Sequence, residues 1–281
     1  MCWDLNGNAL YHRRINVDRF LILELVINKM FTVIHKNILV LSTLLILLTI
    51  EAVFPYFGGW TSKVKHISQN AAIVIFNAVI INFLFVPLIV LSTNTPFGLF
   101  NQIKVSYALE IFLSILILDF VSYFMHVLYH KVPLMWRFHK MHHSDTAMDV
   151  TTAARFHIGE HVISLSVRAL VYAIFAMKLE FILISESIFL VNVLLQHSNI
   201  TLTEPIDRIY RIFFTSPNMH KVHHSNKEAE TDSNYTSVFS FWDRLFRTYT
   251  IVKNPKKIIY GVKGLEKEQS FISMLMTPFK K

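Results

Sequence analysis

The sequence predicts an all-α fold, an integral membrane helical bundle, and three observations predict it. Hydrophobic residues make up 53% of the 281 positions and charged residues only 16%, with 24 Phe, a balance that soluble domains do not show. The apolar residues fall into long, nearly continuous runs separated by short polar breaks. The basic residues flank those runs and do not form a stripe interleaved with exposed aromatics, so the formal charge of +8 points to anionic lipid headgroups and argues against nucleic acid as a partner.

Taken in order, residues 1–36 read as an N-terminal extension: RINVDRF is polar, and FLILELVINKMFTVI is apolar but broken by Glu24, Asn28 and Lys29, the pattern of an amphipathic segment lying in the interface. No small-residue cleavage site follows a short apolar core, so no signal peptide is expected. Residues 37–118 read as transmembrane helices. Ile38 to Pro55 is apolar up to Glu51, close to the ~20 residues a bilayer crossing needs. After GGWTSKVKHISQN come a second run, Ala71 to Leu91, containing Asn77, Asn82 and Pro87, and a third, Tyr107 to Met125, carrying Glu110 and Asp119. Residues 119–250 hold nearly all the remaining histidines and enclose a membrane hairpin (162–195), whose arms are Val162 to Phe175, with Arg168, and Phe181 to Leu195, with Glu186, joined through MKLE. Residues 251–281 form a tail with seven Lys against Glu266 and Glu268, a balance of +5, which the positive-inside bias places in the cytosol.

One cysteine, Cys2, excludes an internal disulfide and any thiolate metal site, so a metal must be held by nitrogen and oxygen. The histidines supply the nitrogen. HVLYH places His126 and His130 on one helical face, HKMHH places His139, His142 and His143 together, and HKVHH repeats the triple as His220, His223 and His224. With 14 His in the chain, on the order of 0.04 H-x-x-H-H matches arise by chance, and two occur. Eight imidazoles give four nitrogens to each of two metals, a di-metal site. A storage tract would be local and low in complexity, whereas these triples lie on either side of an apolar hairpin. A zinc protease motif is excluded by Val127, which stands where H-E-x-x-H carries its general base. His12, His35 and His66 read as ordinary structural histidines. Trp136 and Arg137 read as interface anchors, and Met141 and Val222 as helix packing.

These boxes, with DFVSYFMHVLYHKVPLMWRFHKMHHSD around the first two, TTAARFHIGE (151–160), QHSN (196–199), SPNMHKVHHS and NYTSVFSFWDRLFRTY, resemble the fatty acid hydroxylase/sterol desaturase superfamily, in its sterol desaturase-like branch. The resemblance runs from about residue 70 to the end. Thr236 and Arg247 stand where that family usually carries Gly. The resemblance implies two iron ions held by His126, His130, His139, His142, His143, His220, His223 and His224, with His157 and His197 completing the set from the two ends of the hairpin. Asp119, Asp145, Glu160, His161, Asn199, Asp232, Asn234 and Asp243 are the polar neighbours expected to orient these imidazoles.

It further implies an oxidoreductase that hydroxylates or desaturates a lipid (a sterol, fatty acyl chain or related lipid) with O2. The chain shows no haem, flavin or iron–sulfur motif, so the electrons would come from a separate reductase or small redox protein. The expected setting is a bacterial inner membrane or endoplasmic reticulum with the catalytic face in the cytosol. A zinc-loaded or non-catalytic membrane protein that keeps the boxes as a structural clamp is the alternative. The orientation has a direct test: a C-terminal tag is expected to be protected from external protease in right-side-out vesicles, and its cleavage there would reverse the orientation.

Overall fold

The computed structural model of the chain describes residues 33–58, 63–93, 95–103 and 105–280. Five helices in it are long and apolar enough to cross a membrane: α1 (Val33–Val53), α2 (Lys63–Ser92), α4 (Tyr107–Lys131), α6 (Ile158–Phe175) and α7 (Leu179–His197). At 1.5 Å per residue the shortest is about 27 Å long, enough for the hydrocarbon core. The shorter elements are α3 (Leu99–Gln102), α5 (Pro133–His143), α8 (Glu204–Phe213), α9 (Pro217–His223), α10 (Glu228–Thr231), α11 (Phe241–Leu245) and α12 (Phe271–Leu275). Among the described residues β structure is limited to isolated bridges, Phe214 with Phe239 and Ser225 with Tyr260. Apart from its last four residues, which begin α1, the N-terminal extension read from the sequence lies outside the described residues.

Local chemistry explains the helix ends. Ser106 caps α4 by accepting the Leu109 N–H. That helix runs on past Met125 through HVLYH and stops at Val132, because Pro133 cannot continue it and opens α5 instead. Ser216 and Pro217 start α9 in the same manner. Ala176 adopts φ 51 at the end of α6, which turns the hairpin. Two boundaries differ from the sequence reading. Helix α2 begins at Lys63, eight residues before the apolar run, because the polar turn from His66 to Asn70 has buried partners to meet. Helix α6 begins at Ile158 because His157 caps it.

The five passes alternate. Glu51 at the end of α1 accepts the N–H groups of Val150 (2.9 Å) and Asn199 (2.5 Å). Near the start of α2, Asn70 reaches Thr151 (2.9 Å). The C-terminal ends of α4 and α7 and the N-terminal end of α6 lie at this same level, where the histidines gather. At the far side, Lys178 pairs with Glu110 at 2.6 Å and Thr95 donates to the Ala173 carbonyl. Five crossings place Val33 on the side opposite the histidines. Three small apolar clusters hold the bundle together: Leu47 with Val150, Ala153, Val193 and Leu194; Leu118 with Tyr172, Met177 and Ile182; and Ile73 with Met141 and Met274.

Within the hairpin, Arg168 of α6 pairs with Glu186 of α7 at 3.0 Å. Tyr172 also donates to Glu186 (3.2 Å), and Arg168 reaches Ser122 of α4 (3.2 Å). An ion pair in this setting stabilises only while both partners remain. Glu186→Leu alone is therefore expected to cost about 3 kcal/mol in detergent denaturation, and adding Arg168→Leu to recover most of it. Equal losses in the single and double variants would show that the pair is not coupled.

Candidate metal centre

Nine imidazoles carried by α4, α5, α7 and α9 converge at their polar ends, in two sets whose nitrogens lie within 4.8 Å of one another. The larger set is His126, His130, His139, His143 and His223, and the smaller is His142, His197, His220 and His224. Each H-x-x-H-H triple is divided. His139 and His143, one turn apart, face the larger set while His142 turns to the smaller; His220 and His224 face the smaller while His223 turns to the larger. The sets adjoin through His143 and His224, whose rings stack at 4.4 Å.

Proton bookkeeping shows what this arrangement demands. His126 Nδ1 lies 2.7 Å from the Tyr235 carbonyl, His197 Nδ1 2.7 Å from the Val193 carbonyl and His223 Nδ1 2.7 Å from the Ser233 carbonyl. A carbonyl only accepts, so each Nδ1 carries the proton, and in the neutral ring each Nε2 is bare. Those bare nitrogens meet others: His126 Nε2 is 3.1 Å from His139 Nε2, and His197 Nε2 is 3.0 Å from His142 Nε2 and 2.9 Å from His220 Nε2. The Nε2 atoms of His130 and His223 are buried without any partner. Ligands at ~2.0–2.1 Å from one ion and at right angles sit ~2.9 Å apart, so the observed spacings suit a shared cation. Burial first, and the neighbouring imidazoles second, hold His139, His142, His143, His220 and His224 well below their ordinary pKa. They are neutral at pH 7, the form a metal requires.

Two carboxylates orient rings directly. Glu160 lies 2.9 Å from His139 Nδ1, and Asp232 lies 3.3 Å from His130 Nδ1 and 2.5 Å from Lys131 Nζ. The other polar residues singled out in the sequence bond backbone and neighbouring side chains and touch no imidazole of either set. Asp119 accepts from the N–H of Val238 and Phe239 and from the Trp242 indole. Asp243 accepts the N–H of Tyr235 and Thr236. Asn234, at φ 53, donates to the Met219 and Thr250 carbonyls. Asp145 takes the Thr152 hydroxyl and the Ala147 N–H, with Arg155 at 3.7 Å. Asn199 joins Phe57 through both side-chain atoms. Asp119, Asp243 and Asn234 together fix residues 234–243, whose Tyr235 carbonyl holds His126.

His157 is a correction to the ligand set drawn from the resemblance. Its Nδ1 accepts the Gly159 N–H at 3.0 Å and its Nε2 donates to the Leu275 carbonyl at 3.2 Å, so both nitrogens are spent capping α6, and the ring joins neither set. A Cβ at Gly159 would sit 2.6 Å from the Phe138 ring, which shows how closely this helix start presses on α5. His161 also stays outside, against Phe156. RFHIGE does reach the centre, through Glu160. Thr236 keeps ordinary backbone and bonds Asp243 and Thr215 through its hydroxyl, whereas Arg247 adopts φ 60, a conformation that suits Gly.

Sequence reasoning missed several contributors. Arg155 is fully buried and bonds the Met141 carbonyl, Ser144 and Asn70, clamping the end of α5. Lys221, inside HKVHH, donates to the Ser198 and Ile200 carbonyls. Trp136, read from the sequence as an interface anchor, packs on His130 (5.1 Å) and His143 (5.5 Å). Phe156 stacks on His142 at 4.3 Å and lies over His139 at 6.3 Å, touching both sets. A charged residue within or beside a box was the available signal for the first two; nothing in the spacing marked the aromatics.

Comparison with known proteins agrees with this geometry. The fatty acid hydroxylase family pattern matches residues 111–248. Ornithine lipid hydroxylase OlsE of Rhizobium tropici is 26% identical over 258 residues, covering 87% of this chain and 76% of the relative. Alkylglycerol monooxygenases are similar over a shorter stretch: that of Xenopus tropicalis is 30% identical over 157 residues, 53% of this chain and 32% of its own length, and that of Homo sapiens 27% over 155 residues, 51% and 31%. The chain thus spans about three quarters of the first relative and about a third of the other two. No solved structure matches the chain.

His142→Ala, His197→Ala and His223→Ala are expected to lower metal retained after chelator challenge by at least about tenfold, and His157→Ala and His161→Ala to leave it near the parent level. Equal retention in His142→Ala and His157→Ala would overturn the division into nine and one.

Proposed function

This chain belongs to the fatty acid hydroxylase superfamily through residues 111–248, and on that premise we propose that it is a membrane lipid hydroxylase that uses two iron ions, O2 and externally supplied electrons. The observation that carries the reading is the pair of converging imidazole sets at the ends of membrane-spanning helices. The larger set would hold one ion through five nitrogens and the smaller the other through four. Bound iron would supply O2 activation and attack on an unactivated C–H bond. All-nitrogen ligation by neutral rings leaves the charge of the ions uncompensated at the first contact, with Glu160 and Asp232 as the carboxylates nearest them.

The remaining work falls to the chain. The backbone carbonyls of Tyr235, Val193 and Ser233 fix three rings in one tautomer. Phe156, Trp136 and Tyr235 pack on the imidazoles and limit water around them. The spanning helices admit a substrate laterally, with its tail in the bilayer and its reactive carbon raised to the polar end. The relatives are a hydroxylase and monooxygenases by name, which favours hydroxylation over desaturation, and their names make an aminolipid or an alkylglycerol ether the first substrates to try. Lys131, Arg137 and the lysines of 253–267 on the histidine side, set against Lys178 and Lys36 on the other, support a cytosolic catalytic face.

The test uses the full chain in lipid nanodiscs with ferrous iron, a reductase and ferredoxin pair as surrogate donor, and isotopically heavy O2. Ornithine lipid and alkylglycerol are presented in parallel. One heavy oxygen atom in the lipid product, lost in His142→Ala, is the expected result. Two tightly held zinc ions with no label in either lipid would replace the enzyme with the structural clamp.

A further inference from the structure

Outside the metal centre, the outer face of α8 is an exposed apolar stripe that belongs to no spanning helix. Ile206, Ile209, Ile212 and Phe213 recur at helical spacing, and each is more than half exposed. The opposite face is polar and engaged. Arg211 pairs with Asp207 and with Glu204, and Tyr210 donates to Asn192 of α7 at 3.3 Å. The apolar face is therefore not turned outward for want of a polar one.

It does not stand alone. An unbroken series of ring contacts leads from it to a spanning helix: Phe213 to Phe214 (6.5 Å), Phe214 to Phe239 (5.9 Å), Phe239 to Phe241 (5.8 Å), Phe241 to Trp242 (4.3 Å), and Trp242 to Phe120 of α4 (4.9 Å). Along the same strip Leu245 and Phe246 are exposed, as is Phe124 on α4. Depth follows from helix geometry. Phe120 precedes His126 by six residues and Asn192 precedes His197 by five, so the contacts of both elements lie roughly 8–9 Å below the histidines along α4 and α7. That is where a spanning helix leaves the headgroups for the hydrocarbon. The exposed charges beside the strip are mostly basic: Arg208, Arg244 and Arg247 are exposed, with the exposed Glu204 paired to Arg208 at 3.5 Å, while Asp207 and Asp243 are buried.

We propose that α8 and residues 239–247 form one insertion surface, seated in the acyl–headgroup boundary of the leaflet on the histidine side, with Arg208 and Arg247 against anionic headgroups; the Arg244 guanidinium is held by Ser240 and the Arg211 carbonyl. Continuity with the lipid-facing surface of α4 and the basic flank select a bilayer as the occupant over a second protein. The 239–247 segment is bonded to Asp119, and its neighbour Tyr235 holds His126, so seating in the leaflet also braces the loop that orients a proposed ligand.

In a Cys2→Ser background, Ile209→Cys and Leu245→Cys carrying a nitroxide are compared with Lys263→Cys in phosphatidylcholine vesicles with and without phosphatidylglycerol. Severalfold stronger relaxation by O2 than by a water-soluble nickel chelate at 209 and 245, with the reverse at 263, is expected, and Arg208→Glu with Arg247→Glu should shift 209 toward the aqueous value only when phosphatidylglycerol is present. Aqueous values at both 209 and 245 would overturn the proposal, as would dipolar coupling between labels on two chains, which would make the face a protein contact. Should a cysteine variant fail to fold, judged by lost metal, Ile209→Trp and its quenching by brominated acyl chains read the same depth, and absence of quenching counts against it. Metal content and lipid oxidation are separate readouts, so failure here leaves the hydroxylase reading standing.

Discussion

The rest of the structure depends on one electrostatic constraint: bare imidazole nitrogens held about 3 Å apart inside a protein. Lone pairs aimed at each other repel, and protonating the rings to relieve this is opposed by burial. A shared cation removes the conflict, and the fold must hold the nitrogens ready for it. That requires each ring to be neutral, fixed in one tautomer, and unable to swing away. The carbonyls of Tyr235, Val193 and Ser233 and the carboxylates of Glu160 and Asp232 meet those three conditions for five rings at once.

Much of the remaining polar burial supports those anchors. The loop from Asn234 to Asp243 has little regular structure of its own, yet three buried side chains hold it: Asp119 from below, Asp243 from within, and Asn234 across to Thr250. On the opposite flank Arg155 binds the end of α5, and Lys221 ties α9 to the strand of chain leaving α7. Charged groups are costly to bury unless bonded, and here each is bonded to backbone whose displacement would move an imidazole.

The bundle sets the height of the centre. Helices α4 and α7 deliver histidines at their ends because both cross from the far side, and the α6–α7 turn closes there against α4 through Lys178 and Glu110. The ion pair of Arg168 with Glu186 locks the hairpin arms in register, which fixes where Glu160 and His197 emerge.

The helical runs and the grouping of the eight box imidazoles were legible because hydropathy and the i, i+3, i+4 rule are local, while His197 was named only through the resemblance. A triple such as His139, His142, His143 spreads over about 100° of a helix at 100° per residue. That arc is wide enough to face two ions, so spacing alone cannot say which ring serves which. The neighbouring helices decided it, giving five to one set and four to the other. His157 fell outside for a reason equally invisible in sequence: a histidine just before a helix either caps it or reaches inward. The N–H of Gly159 and the Leu275 carbonyl, 118 residues away, claimed its two nitrogens, leaving Glu160, one turn into the same helix, to face the converging imidazoles.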